Sequence, residues 1–267
     1  MGNFELPTVS VARFEGGAPD NYQAGIEDAL SYQGGIDQFV KPGQRVLLKP
    51  DFMYDYPGNH GLTTSPEFIA AVARMVKNLG AEAVIGDSPF VLRGEMDDFW
   101  RNTGILDVAQ RDQLELVNFE MSGSRAVALE TKVYYVSRAV LEADVVINLP
   151  RLKYDSRVGI AGGVRNMLGT LPGFQKGRLY KEFSNGRNLA GALVDIFSAV
   201  RPTLKIAEAV PCDGRRQSSI DNEIFAVASS DTVALDTVLA EILRLDACKV
   251  FTTRVAAEAG LGIGWLE

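Results

Sequence analysis

One short stretch constrains the fold of this chain more than any other. Residues 144–149 (DVVINL) form a β-branched apolar run without helical period, the pattern of a buried parallel strand. The run empties into Pro150-Arg151-Leu152-Lys153-Tyr154-Asp155 and then into residues 159–169 (GIAGGVRNMLG), which set Arg165 and Asn166 among closely spaced glycines. Charged side chains and pliant backbone just past the carboxyl end of a strand are where open α/β sheets place their ligands.

Strands and helices alternate along most of the remaining length. Strands are expected at residues 9–14, 45–49, 83–86, 204–209 and 224–229. Helices are expected at 22–40 with an interruption near Gly34-Gly35, at 66–79, at 97–112 with a break at Gly104, at 188–200, at 232–243 and around 250–259. The helix at 66–79 has Pro66 at its first turn and stops at Gly80. Residues 114–119 and 126–136 alternate like exposed or antiparallel strands. This rhythm predicts an α/β fold: a mostly parallel sheet with helices on both faces and some antiparallel strands in the middle of the chain. Residues 1–267 read as a single domain, with only a weakly marked subdivision near residue 90.

Composition narrows the function class. Hydrophobic residues make up 46% and charged residues 23%, ordinary globular usage, and the formal net charge is -7. That charge, with no basic patch interleaved with aromatics, argues against a nucleic-acid partner or an anionic membrane. Residues 1–7 lack a basic start and an apolar run, so a cytoplasmic, soluble protein is expected. Cys212 and Cys248 are too far apart for a CxxC pair and read as reduced thiols. The apolar end of the chain, residues 260–267, suits docking onto the body of the protein or onto a partner, either another protein or a second copy.

Two further strand exits and one later loop carry polar groups. Lys49-Pro50-Asp51 leads toward Thr63-Thr64-Ser65 at a helix start, where hydroxyls either receive an anion or simply cap the helix. Asp87 and Ser88 follow the strand at 83–86 and either fix a ligand or close an Asx-turn. Lys176 and Arg178, after Pro172-Gly173, place positive charge on what reads as a mobile loop. Lys153 and Asp155 are two residues apart, so an extended backbone points both the same way, and a desolvated lysine beside a carboxylate suits proton transfer. Arg165 offers a planar fork for a carboxylate or phosphate, and Asn166 both donates and accepts. His60, the one histidine, lies beside Tyr54 and Tyr56 and reads either as an exposed loop residue or as a proton donor on a lid. The candidate site is therefore Lys153, Asp155 and His60 as proton-handling groups, with Lys49, Thr63, Thr64, Ser65, Asp87, Ser88, Arg165, Asn166 and Lys176 as substrate contacts. Structural ion pairs among these groups are the plain alternative. No P-loop, GxSxG or GxGxxG pattern is present.

Taken in order, Lys49-Pro50, Thr63-Thr64 before Pro66-Glu67, Gly86-Asp87-Ser88-Pro89, residues 142–153 (EADVVINLPRLK), Arg165-Asn166-Met167-Leu168-Gly169 with Lys176 following, and residues 228–236 (ASSDTVALD) resemble the domain-of-unknown-function 362 family of bacteria and archaea. The resemblance implies an α/β fold of unassigned biochemistry, and many members carry a cysteine-rich ferredoxin segment. A fainter likeness is to the N-terminal domain of the lactate racemase family, which uses a nickel-pincer cofactor. This chain departs from the family pattern: Ser65 and Asp155 stand where relatives have histidine, Arg165-Asn166 replaces a lysine–asparagine pair, and no histidine follows Lys176. No four-cysteine pattern exists, so an iron–sulfur cluster is not expected, and the cofactor is otherwise open. Two readings follow: an enzyme handling a small polar or anionic substrate by acid–base chemistry, and a non-catalytic binding or accessory protein that kept the pocket and lost metal ligation.

Overall fold

The apolar strands and amphipathic helices assemble in chain order around one sheet, in a computed structural model that describes residues 6–53, 61–89, 95–129, 132–210 and 223–266. The first half comprises β1 (Ser10–Glu15), α1 (Pro19–Ser31), β2 (Arg45–Pro50), α2 (Pro66–Asn78), β3 (Glu82–Asp87), α3 (Met96–Asn102), α4 (Ile105–Asp112) and β4 (Glu115–Asn118). Next come β5 (Ser124–Leu129), β6 (Lys132–Ser137), α5 (Arg138–Leu141), β7 (Val145–Leu149), β8 (Lys153–Asp155) and β9 (Gly159–Ala161). The rest is α6 (Gly163–Asn166), α7 (Gly173–Glu182), α8 (Gly186–Val200), β10 (Leu204–Ala209), β11 (Glu223–Ser229), α9 (Thr232–Ile242) and α10 (Phe251–Glu258).

The main sheet has seven strands in the order β1-β11-β10-β7-β2-β3-β4. Pairing is parallel from β10 through β7, β2 and β3 to β4, and antiparallel where β11 meets β10 and β1. Two small antiparallel ribbons, β5-β6 and β8-β9, stand apart from it. The expected α/β architecture is observed, and of the two alternatives for residues 114–119 the exposed one holds: residues 115–118 pair in parallel, at the sheet edge. An edge strand half open to solvent alternates whichever way its partner runs, so its sequence does not reveal its direction.

The strand period of two divides the core. Val46 and Leu48 of β2 pack with α1 to α4 on one face, whereas Leu47 joins Val146 and helices α6, α8 and α10 on the other. Lys49 follows in the same alternation, which aims it into the second layer. α2 is the most buried helix of the first layer: Pro66 fits its first turn and Gly80, at φ 77°, ends it in a left-handed conformation that a side chain disfavours. No helix among the described residues is long and apolar enough to cross a membrane.

Candidate functional site

The sheet changes direction of winding between β2 and β7. From β2 the chain crosses through α2 to β3 on one side; from β7 it proceeds to β10 on the other. The carboxyl ends of such a strand pair diverge their loops and open a crevice. Lys49 and Asn148 are register partners here, as are Pro50 and Leu149.

Lys49 is the centre of a buried polar row. Its Nζ lies 2.8 Å from Asp87 Oδ1 and donates to the Pro50 carbonyl (2.9 Å) and to Asn166 Oδ1 (3.3 Å). Burial pushes the Asp87 carboxyl up, against the pull of Lys49. Asp87 is further held by the amides of Phe52 (3.0 Å) and Ser88 (2.8 Å). From Asn166 the row continues to Asn148 Oδ1 (2.7 Å), and Asn148 Nδ2 donates to the Gly163 carbonyl (2.9 Å).

α6 is a single turn that presents Arg165 and Asn166 together. Arg165 Nε faces Asp155 Oδ2 at 2.6 Å, and its Nη2 donates to the Tyr180 hydroxyl at 3.1 Å. Asp155 Oδ1 meanwhile accepts the Arg157 and Val158 amides, closing the turn between β8 and β9. Lys153, on the same ribbon, pairs instead with Asp51 Oδ2 at 2.6 Å and donates to the Leu62 carbonyl at 2.8 Å. Burial pushes its ammonium down, and Asp51 pulls it back up. Lys153 and Asp155 thus stand in separate ion pairs.

The expected mobile loop around Lys176 is instead α7, and Lys176 is buried, with 1% of its surface exposed. Its Nζ donates to the carbonyls of Ser88 (2.6 Å) and Pro89 (2.9 Å) and to the Ser88 hydroxyl, with the Glu120 carboxylate 3.9 Å away. Burial lowers its pKa to about 8, which Asp87 and Glu120 partly oppose. Pro172 leaves α7 without a side-chain cap of its own, and both Glu120 oxygens accept the Gly173 amide (2.9 and 2.8 Å) in its place.

The three hydroxyls at the start of α2 divide their tasks. Thr64 Oγ1 donates to the Leu149 carbonyl (2.7 Å) and accepts the Asp51 amide (2.9 Å), tying the β2 exit to β7. Ser65 does not cap α2 with its hydroxyl. Its amide and hydroxyl both donate to the Glu208 carboxylate (2.8 and 2.5 Å), whose other partner is Arg151 at 2.5 Å. The anion at this helix start is therefore one of the chain's own carboxylates. Thr63 Oγ1 is buried and has no hydrogen-bond partner among the described residues. His60, Tyr54, Tyr56 and Cys212 lie outside the described residues.

A small cleft opens where these groups converge, walled by Phe52 and Met53, by Asp87 and Ser88, and by Arg165, Asn166 and Lys176. Asp51, Leu168 and Gly169 complete it. Neither metal group implied by the family resemblance fits these donors. A four-thiolate cluster needs more than the two cysteines of this chain. Nickel favours imidazole and thiolate, whereas the cleft offers carboxylates already paired with cations, amides and a hydroxyl. No group of three or more His, Cys, Asp or Glu among the described residues is arranged to hold a metal.

Sequence reasoning missed Asp51, Glu120, Glu208 and Asp236. Glu208 carried a signal, a carboxylate that shares the mostly apolar strand at 204–209 with Lys205, where only a buried partner makes sense. Asp236 lies inside the helix expected at 232–243, and its two oxygens accept the amides of Gly163 (2.5 Å) and Val164 (3.0 Å) at the start of α6.

Comparison with known proteins agrees with this architecture. A protein of Synechocystis sp. named as thylakoid-associated is 32% identical over 262 residues, taking in 97% of this chain and 80% of the relative. A structural-genomics crystal structure from Thermotoga maritima superposes with a TM-score of 0.57 at 12% identity, covering 86% of this chain. The lactate racemase apoprotein of Thermoanaerobacterium thermosaccharolyticum does so with a TM-score of 0.50 at 9% identity, covering 80%. These two likenesses are of fold, and the chain spans 60% and 54% of the respective solved chains. The family model described as Domain of unknown function (DUF362) matches residues 46–241, the segment that carries both the switch-point strands and the cleft, and the chain belongs to that family.

Proposed function

We propose that this protein is an enzyme acting on a small anionic substrate by acid–base chemistry in the cleft at the β2/β7 switch point. Arg165 holds the anionic group and Lys176 exchanges the proton. The observation that carries this reading is Lys176: a buried ammonium seated on the carbonyls of the β3 exit, its pKa lowered to about 8, on the wall of the same cleft as Arg165. A group that holds its proton at neutral pH and releases it about one unit higher suits proton transfer under working conditions.

Arg165 faces Asp155 through Nε and donates to Tyr180 through Nη2, and its place on the cleft wall puts the guanidinium where an anionic group would sit. Lys153 and Asp155 act one contact further out: Lys153 steadies Asp51 on the cleft wall and Asp155 steadies Arg165. The fold-level likeness to a lactate racemase apoprotein directs the first ligand panel toward small hydroxy- and oxo-carboxylic acids.

Calorimetry with that panel tests the assignment. The wild type is expected to bind at least one member with a sub-millimolar Kd, Arg165→Met to lose the binding, and Lys176→Met to retain binding without turnover. Absence of binding across the panel, together with sulfate and phosphate, contradicts the reading.

A second reading, an accessory protein that binds without turnover, draws on the thylakoid association in the name of the Synechocystis relative. It is favoured if the bound ligand is recovered unchanged and a native pull-down returns one stoichiometric protein partner.

A further inference from the structure

Arg165 and Asn166 reach the cleft from α6, a helix only four residues long. One turn of helix has almost no stability of its own, because nucleation fixes several residues for a single hydrogen bond. Gly162, its N-cap, has no side chain with which to satisfy the first amides. Something outside the helix must hold it.

That group is Asp236, in the second turn of α9, completely buried and 73 residues downstream of Gly163. Its Oδ1 accepts the Gly163 amide at 2.5 Å and its Oδ2 accepts the Val164 amide at 3.0 Å. The carboxylate takes up the space a side chain at residue 162 needs: a Cβ on Gly162 would overlap Asp236 Oδ1. Gly163 in turn is bonded through its carbonyl to Asn148, and Asn148 to Asn166. An unbroken hydrogen-bonded path therefore runs from Asp236 through Gly163 and Asn148 to Asn166 and Lys49.

We propose that Asp236 is a positioning residue for the cleft: by holding both leading amides of α6 it fixes where Arg165 and Asn166 stand, without touching the ligand. This inference rests on the cleft being the site. The charged groups facing Asp236 are Lys205 of β10, whose Nζ donates to the Ser230 carbonyl at 2.6 Å, and Asp231, the N-cap of α9. Burial raises the Asp236 carboxyl to about 7, and the two amides oppose the rise. Asn at this position keeps the shape and one acceptor but cannot receive both amides.

The test uses Asp236→Asn and Gly162→Ala, read by hydrogen exchange over residues 163–170 and by calorimetric binding of sulfate, an anion that does not titrate in the working range. The alanine is a second route to the same perturbation, since residue 162 has φ -118° and ψ -155°, accessible to alanine, and its obstruction comes from the Asp236 carboxylate and the Ile160 side chain. Each variant is expected to exchange at least tenfold faster over 163–170 than wild type, with α2 and α8 unchanged, and to bind sulfate at least tenfold more weakly. Unchanged exchange in a folded variant overturns the proposal, as does faster exchange with undiminished sulfate affinity. Wild type that binds no sulfate while Asp236→Asn still loosens residues 163–170 instead sinks the cleft assignment and leaves Asp236 as the holder of α6.

Discussion

Lys49 and Asp87 form an ion pair at 2.8 Å with 0% and 2% of their side chains exposed. Two charges removed this fully from water persist only because each is also bonded to backbone or amide groups, here Pro50, Asn166, Phe52 and Ser88. Removing one partner strands the other. Lys49→Met is expected to cost about 3–5 kcal/mol in denaturant unfolding, and Lys49→Met with Asp87→Leu to cost less than the sum of the single changes. Additive losses would show that the pair is not coupled.

Gly169 permits that pair to lie against the cleft floor. A Cβ at residue 169 would overlap Asp87 Oδ1 and come within 2.7 Å of Lys49 Nζ. Gly169→Ala is therefore expected to destabilise the protein by about 1–3 kcal/mol, the scale of overpacking in a tight interior, and to weaken ligand binding. A neutral effect on both stability and binding, measured by urea titration and calorimetry, contradicts this packing argument.

The Lys176 amine gives a pH signature. Its folded pKa of about 8 lies below the ordinary lysine value near 10.4, so between these limits the folded state binds fewer protons than the unfolded chain. Stability from this group accordingly rises with pH through that window, by about 3 kcal/mol at full effect. Wild type should gain on Lys176→Met between pH 8 and 10.4 in paired unfolding experiments; parallel curves would contradict the shifted amine.

Asp236 acts in the opposite sense. Its folded pKa near 7 exceeds the ordinary carboxyl value of about 3.9, so the folded state binds more protons between those limits. Its stabilising contribution is complete below about pH 4 and is lost as pH rises through 7. The stability of wild type relative to Asp236→Asn should therefore fall across pH 4–7 and level off above it, as paired thermal melts will register.

Much of this fold was legible in the residues, and the particular failures have physical causes. β2 and β10 appear where the short, mostly apolar segments at 45–49 and 204–209 placed them, since a strand buried on both faces shows no helical period. The ribbon of β8 and β9 escaped notice because three residues per strand carry no measurable alternation. Residues around Lys176 read as loop because Pro172, Gly173 and Gly177 are loop-forming types, and the carboxylate that starts α7 comes from Glu120, 53 residues earlier than Gly173. Lys49, Asp87, Arg165 and Asn166 were recognisable as candidates from their place at strand exits. Their partners were not, because periodicity tells which face a side chain takes and never which distant residue meets it: Asp51 with Lys153, Glu208 with Ser65, and Asp236 with Gly163 are separated by 102, 143 and 73 residues.

The central claim is proton exchange by Lys176 on an anion held at Arg165, and deuterium wash-in tests it most directly. Small hydroxy- and oxo-carboxylic acids incubated with the protein in heavy water are followed by proton NMR at the carbon next to the carboxylate. Incorporation by wild type, abolished in Lys176→Met and in Arg165→Met while both variants remain folded, is the expected result. Incorporation that persists in Lys176→Met, or a wild type that binds these acids and exchanges none of them, contradicts the account.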